Sequence, residues 1–220
     1  MNPREHDGLA RPQLEALARV ATAGAVVVSS AMTSLTRRRV SHGQVTVLPT
    51  PITGVADLLG GAEARVVALH MRIEGVLRGE ILIGLSPGSA GWLLASILGT
   101  PEPPQSRACL APLDESALLE IGNTMAGCYL NALSETLGAP LMISIPGMAI
   151  DMAGAVVDDL LAETARGASR MLVIGMPFTA DLPDPLALML HLPDPGTLPL
   201  LLAALGRGRG GRQGKTACGV

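Results

Sequence analysis

The sequence predicts an α+β fold in which two pseudo-symmetric halves share a mostly antiparallel sheet covered by long helices. Two observations support this prediction. The first half ends in GLSPGSAGWLLASILG (84–99) and the second in HLPDPGTLPLLLAALG (191–206), each a strand end, a Pro-Gly turn and a Leu/Ala helix closed by Gly. The elements that precede these two segments also recur in the same order, so the chain repeats one supersecondary plan.

Each half is predicted to begin with a long helix. The first spans 12–38, where Pro12 suits a helix start because its fixed φ fits the first turn. The second spans 114–137, with Asp114 as its N-cap and Gly138 as its stop. Both helices have the length of a main structural element, so each is expected to cover the sheet.

The strands are predicted from runs of β-branched and aliphatic residues. A short strand follows each long helix, at 44–48 and at 141–145. The longer strands are predicted at 65–73, 79–85, 170–176 and 186–192. Since the two halves carry matching strands, pairing them produces one sheet with helices on it.

The domain prediction follows from the same repeat. Residues 12–206 form a single domain of two repeats, 12–99 and 113–206, preceded by an N-terminal segment, 1–11. The proline-dense stretch 99–112 between the repeats is typical of a linker. The Gly- and Arg-rich end, 207–220, is predicted to be a disordered tail.

Composition excludes several classes of function. Hydrophobic residues make up 48% of the chain and charged residues 16%, so there is ample material for a core. One Trp, one Tyr and one Phe leave little for stacking nucleic-acid bases. With a net charge of -3, the chain also lacks the excess of positive charge that attracts nucleic acids, so we expect no binding to DNA or RNA.

Cysteine usage and hydropathy indicate a cytoplasmic protein. The three cysteines are far apart and show no metal-ligand spacing, so neither a disulfide nor a metal site of the protein's own is expected. Two uncharged stretches, 20–36 and 81–101, are interpreted as buried elements because serine and threonine residues interrupt the first and a Pro-Gly turn the second. The polar N-terminus carries no secretory signal, and no membrane insertion is expected.

The most informative motif lies on the second long helix. Ser116, Glu120 and Asn123 advance by four and then three residues, which places their side chains on one helix face. The apolar residues of the segment recur at helical spacing on the other face, namely Leu118, Ile121, Met125, Tyr129, Leu133 and Leu137. We therefore expect a hydroxyl, a carboxylate and an amide to be presented outward to a partner.

With Pro146 included, this motif resembles a known signature. Ser or Asp, three residues, Glu, two residues, Asn, twenty-two residues and Pro is the pattern of the CheC/CheX/FliY chemotaxis phosphatases, and the two-half length here is most similar to CheC. The resemblance implies hydrolysis of the aspartyl phosphate of a CheY-type response regulator. It also implies no cofactor of the protein's own, because the regulator carries the Mg²⁺.

The resemblance assigns a role to each residue of the motif. Asn123 would hold the attacking water, since an amide both donates and accepts hydrogen bonds. Glu120 would pair with the lysine at the regulator's phosphate site. Ser116 would support the contact, and Pro146 would fix the loop beside the helix. Gly127, one turn beyond Asn123, is expected to allow close approach.

The first half departs from the pattern. An offset of 101 residues aligns Glu15, Arg19, Thr22 and Val45 with the four motif positions. Arg19 reverses the charge of the key carboxylate, and Thr22 replaces the amide. We therefore expect the first site to be degenerate, either a structural face or a surface for another partner.

An alternative reading assigns a non-catalytic role. A Glu and an Asn on an exposed helix are often just a solvated face. Proteins of this type also resemble flagellar-switch components, and CheD is a further candidate partner. The alternative is therefore a regulatory adaptor that binds CheD or acts like a switch component.

Overall fold

The computed structural model describes residues 9–99, 110–164 and 169–207. The predicted N-terminal segment, linker and tail lie largely outside these ranges. In chain order the elements are α1 (Arg11–Thr36), β1 (Ser41–His42), β2 (Thr46–Pro51), α2 (Val55–Leu58), β3 (Arg65–Gly75), β4 (Gly79–Leu85), α3 (Pro87–Leu98), α4 (Pro112–Leu137), β5 (Leu141–Ile143), β6 (Gly147–Met152), α5 (Ala153–Thr164), β7 (Arg170–Thr179), β8 (Ala187–Pro193) and α6 (Leu198–Arg207).

All eight described strands form one sheet, and every pairing within it is antiparallel. The order is β1-β7-β8-β4-β3-β5. In addition, β2 pairs with β7, and β6 pairs with β3. Replacing each strand by its counterpart in the other half gives the same order, read from the opposite edge of the sheet. The counterpart strands β4 and β8 are neighbours at its centre. This arrangement confirms the predicted fold class of two pseudo-symmetric halves that share one antiparallel sheet.

The halves interlock through their outer strands. Strand β2 of the first half pairs with β7 of the second, where Val47 lies opposite Ile174. Strand β6 of the second half pairs with β3 of the first, where Leu69 lies opposite Met148. Each half thus supplies the edge strands of the other half's part of the sheet.

The two sheet faces carry different helices. The long helices α1 and α4 pack against each other and, with α3, against the face that presents Leu69. The short helix α2 and α5 cover the opposite face, where they meet a smaller buried cluster that includes Ala68 and Leu190. Because α1 and α4 bury their apolar sides in the sheet, their outer sides are left as surface.

Gly24 of α1 allows α1 and α4 to approach closely. A Cβ atom at Gly24 would lie 2.5 Å from Cδ2 of Tyr129, so this position has no room for a side chain. Tyr129 in turn meets His191 of β8, and both are buried. Burial raises the pKa of Tyr129 and lowers the pKa of His191 to about 3, so both groups are neutral at physiological pH.

Among the described helices, α1 alone is long and apolar enough to cross a membrane by length and composition. Its apolar residues nevertheless take part in the core that it forms with α4 and the sheet, namely Leu17, Ala21, Ala25, Val28 and Met32. A buried core helix meets the same length and composition criterion, and the packing of α1 is that of such a helix.

Two predicted helix boundaries require correction. The first long helix, predicted to span 12–38, begins at Arg11 and ends at Thr36, with Arg37 as its C-cap. Asp114 as the N-cap of the second long helix is wrong, because α4 begins at Pro112 with Ala111 as its N-cap. Proline suits this first helical position, since its missing N–H would have no intrahelical partner there. Gly138 does end α4, with a left-handed φ of 66°, as predicted.

The sequence patterns also failed to predict β6, α5 and α2. Strand β6 and helix α5 follow one another directly from Met152 to Ala153 with no turn residue between them. The start of α5 is instead held by a distant loop, because the N–H of Ala153 donates to Ala64 O at 2.8 Å and that of Gly154 to Ala62 O at 2.9 Å. These contacts are long-range and leave no local signal.

Candidate functional site

The polar face of α4 is exposed along the predicted motif. Ser116, Glu120 and Asn123 all lie at the surface. The predicted apolar face is buried at Leu118, Ile121, Met125, Tyr129 and Leu133, while Leu137 is half-buried. Seven residues separate Ser116 from Asn123, so the exposed stripe covers about 10 Å of helix.

The three polar side chains have no partner within the described part of the chain. None of them forms a hydrogen bond or an ion pair there, whereas several other helical hydroxyls bond to their own backbone. The hydroxyl of Ser116, the carboxylate of Glu120 and the amide of Asn123 are therefore available to groups outside the protein. This is the arrangement expected of a surface that meets a partner.

The electrostatics of α4 are uniformly acidic. Asp114 and Glu115 lie in its first turn, Glu120 follows one turn later, and Glu135 lies near its end. The helix contains no Lys or Arg. A stripe of this charge favours contact with a basic group of a partner.

Gly122 links the helix to the loop that contains Pro146. A Cβ atom at Gly122 would lie 3.0 Å from Cδ1 of Leu69, so glycine lets this turn of α4 lie close to β3. Leu69 is paired with Met148, two residues beyond Pro146. The β5–β6 loop is consequently placed beside the helical turn that carries Asn123. The sequence analysis did not identify Gly122 as the contact between α4 and β3, although a glycine inside a helix can indicate close packing.

The β5–β6 loop is anchored to β3 on its inner side. The N–H of Ser144 donates to Arg72 O, and the N–H of Arg72 donates to Ser144 Oγ, both at 3.0 Å. Beyond this anchor, Ile145 is 91% exposed and Pro146 is half-buried. A fully exposed isoleucine next to the predicted proline is a feature that sequence reasoning missed, since no spacing rule identifies it.

The aligned positions of the first half do not reproduce this surface. Glu15 forms an ion pair with Arg11 at 3.0 Å, and Thr22 Oγ1 donates to the carbonyl of Ala18 at 2.7 Å. Arg19 is exposed, and Val45 is half-buried. The first stripe therefore presents a guanidinium group in place of a free carboxylate and amide.

Two further features of α4 bear on its chemistry. A Cβ atom added at Gly127 would have no heavy atom of the described residues within 4 Å, so this position is open. Burial raises the pKa of the Cys128 thiol, which disfavours the thiolate form that a nucleophile needs.

Within the described ranges, no group of three or more His, Cys, Asp or Glu side chains could hold a metal ion.

The chain is similar in sequence to one chemotaxis protein along nearly its whole length. It is 28% identical over 202 residues to the CheY-P phosphatase CheC of Bacillus subtilis (strain 168). The aligned residues cover 91% of this chain and 97% of that protein. No protein-family model matches the chain.

The fold has solved counterparts. The X-ray structure of Thermotoga maritima FliY matches with a TM-score of 0.68 at 15% identity, covering 91% of this chain and 98% of that one. The FliM middle domain from H. pylori matches with a TM-score of 0.61 at 11% identity, covering 89% and 99%. FliY and the FliM middle domain thus share the two-half fold with this chain, and over 91% of its length the chain is similar in sequence to CheC.

Proposed function

We propose that this protein hydrolyses the aspartyl phosphate of a CheY-type response regulator, with Glu120 and Asn123 on α4 as its catalytic residues. The observation that carries the proposal is the exposed, unpartnered stripe on α4, which has the family's residue spacing. The name of the relative from Bacillus subtilis, a CheY-P phosphatase, supports the same substrate.

The chemistry needs little from the protein. Water attacks the phosphorus atom, the bond between phosphorus and the aspartate oxygen breaks, and the products are inorganic phosphate and a free carboxylate. An acyl phosphate is already activated, and the Mg²⁺ beside it belongs to the regulator. What remains to be supplied is a water in line with the breaking bond. The amide of Asn123 suits this task because its oxygen accepts a hydrogen bond from the water and it does not titrate.

Glu120 is proposed to position the two proteins. It lies one turn before Asn123 in a helix without basic residues, so a lysine at the regulator's phosphate site has a carboxylate to meet. Drawing that lysine to Glu120 orients the phosphoryl group toward Asn123. Ser116 extends the contact by one more turn, and Pro146 holds the β5–β6 loop beside it.

The test is the decay of a phosphorylated CheY-type regulator with and without this protein. We expect the wild type to accelerate phosphate loss, and Glu120→Ala and Asn123→Ala each to abolish the acceleration. Glu135→Ala is the matched control, because Glu135 is also an exposed glutamate on α4, about 22 Å beyond Glu120. Undiminished acceleration in both site variants would overturn the proposal.

The fold shared with the FliM middle domain keeps the adaptor role as a second candidate. The same experiment distinguishes the two functions. An adaptor would bind its partner equally well with and without phosphate and leave the decay rate unchanged. A phosphatase would prefer the phosphorylated regulator and return it to the unphosphorylated form.

A further inference from the structure

Two pseudo-equivalent stretches of the molecule carry opposite charge. Between Ala16 and Ala56, which covers most of α1 with β1, β2 and part of α2, the sequence contains four arginines and no Asp or Glu. Between Ala117 and Val157, 101 residues further on, which covers most of α4 with β5, β6 and part of α5, it contains three acids and no Lys or Arg. A duplicated plan has therefore acquired one basic and one acidic surface, and the acidic one holds the proposed catalytic stripe.

Three of the four arginines form a cluster at the end of α1. Arg37, Arg38 and Arg39, here called the basic corner, are all exposed. Within the described residues none of them forms an ion pair. The guanidinium carbon of Arg38 lies 5.5 Å from the ring centroid of Trp92, which holds that side chain by a cation–π contact. One charge of the corner is therefore preorganised on an aromatic surface.

Stabilisation of the helix end does not account for the basic corner. Cations near a helix C-terminus are favourable, but the effect falls off beyond the last turn, and Arg38 and Arg39 lie past the end of α1 at Thr36. Arg37 moreover has a left-handed φ of 53°, and the pseudo-equivalent residue of α4 is Gly138, which adopts this conformation without strain. An arginine at this position therefore costs stability relative to glycine, so stability does not account for it.

The surroundings of the corner are shaped to receive a chain segment. A cavity of about 580 Å³ is lined by Arg38, Arg39, Ser41 and Asp181. An adjoining cavity of about 450 Å³ shares Ser41 and continues along α1 to Val26, which is 49% exposed. The two cavities meet at Ser41 and are together called the groove here. Between them they bring Val26, the guanidinium groups of Arg38 and Arg39, and the carboxylate of Asp181 to one stretch of surface.

We propose that this groove binds an acidic segment of a partner protein, whose carboxylates meet Arg38 and Arg39 and whose apolar side chains cover Val26. Charge complementarity selects the partner, because two arginines bind carboxylates well and outnumber the one carboxylate that lines the groove, that of Asp181. The near absence of aromatic residues in the chain favours a protein segment over a nucleic acid. The groove lies apart from the stripe on α4, so this binding is independent of phosphatase activity.

The probe for a test is a fluorescent amphipathic peptide of ~14 residues, about four helical turns, with glutamates on one face and leucines on the other. We expect it to bind at near-physiological salt, and Arg38→Gln/Arg39→Gln to weaken binding about tenfold or more, equivalent to two lost charge contacts. Val26→Ser should weaken it severalfold. All variants should retain the wild-type rate of phosphate loss from the regulator.

Arg19→Gln is the matched control. It removes one exposed arginine from the same helix, about 26 Å from the corner, and should leave peptide affinity unchanged. Arg37→Gly tests the strain, since it should raise thermal stability while it weakens binding only slightly. Equal losses of affinity in Arg19→Gln and the double variant would overturn the proposal, as would equal binding of a peptide with scrambled order. Tighter binding of a single-stranded oligonucleotide of equal charge would overturn it in favour of nucleic acid.

Discussion

The hydroxyl of Tyr129 lies 2.8 Å from Nδ1 of His191, and this hydrogen-bonded pair is buried between α4 and the centre of the sheet. The rings meet edge to face, with centroids 5.5 Å apart. Tyr129 also fills the space above Gly24, so the pair joins both long helices to β8. The position of the stripe on α4 depends on this contact, because Tyr129 and Asn123 belong to the same rigid helix.

Acidification should destabilise the protein through His191. The unfolded imidazole has its ordinary pKa of 6.5, whereas burial lowers the folded value to about 3. Between these two values the unfolded chain binds a proton that the folded chain excludes. The free energy of unfolding should therefore fall as pH falls through this window, by up to about 1.4 kcal/mol per pH unit. Urea denaturation at pH 7, 6 and 5 measures the slope.

His191→Gln should reduce that slope, whatever its effect on stability at pH 7. A wild-type slope in the His191→Gln variant would contradict the assignment.

Two glycine-to-alanine substitutions should have opposite effects on stability. Gly24→Ala places a methyl group against the buried ring of Tyr129, and overpacking of this kind costs about 1–3 kcal/mol. Alanine favours the helix over glycine by about 1 kcal/mol, so we expect a net loss of stability of up to about 2 kcal/mol. Gly127→Ala enters open space and should stabilise the protein by up to about 1 kcal/mol. Thermal or urea unfolding measures both, and a stabilised Gly24→Ala variant would contradict the close helix contact.

Ile145 should contribute to the binding of the regulator. Its side chain is 91% exposed beside Pro146, and burying an isoleucine at an interface is worth about 1.5–3 kcal/mol. Ile145→Ser should raise KM for the phosphorylated regulator by about tenfold or more and leave kcat and stability unchanged. Leu48→Ser is the control. Leu48 is a half-exposed residue on β2, the first-half counterpart of β6, and its replacement should leave KM unchanged. An unaltered KM in the Ile145→Ser variant would remove this loop from the contact.

The parts of the fold with strong local signals were predictable. Strand β4 has the predicted bounds, and α4 ends at its glycine, because a run of aliphatic residues and a left-handed cap are local features. The pairing of β2 with β7 and of β6 with β3 was not predictable, since the residues of a strand do not indicate whether its partner lies in the same half or in the other one. Strand β6 is half-buried or exposed at every residue and so shows no alternation.

The same division holds for the candidate site. Helical periodicity predicted that Ser116, Glu120 and Asn123 share one exposed face, and the structure shows all three at the surface. The supports of that face could not be predicted. Gly122 acts through Leu69, a residue from the other half of the chain, and the Ser144–Arg72 hydrogen bonds also join the two halves.

The most direct test of the proposed mechanism measures phosphate loss over a range of concentrations of phosphorylated regulator, with Asn123→Ala and Asn131→Ala. Asn131 is the matched control, an exposed asparagine on the same helix about 12 Å further along. If Asn123 positions the attacking water, its loss should lower kcat by about 100-fold or more and leave KM nearly unchanged, while Asn131→Ala keeps both values. A wild-type kcat in Asn123→Ala, or an equal loss in Asn131→Ala, would contradict the role proposed for Asn123.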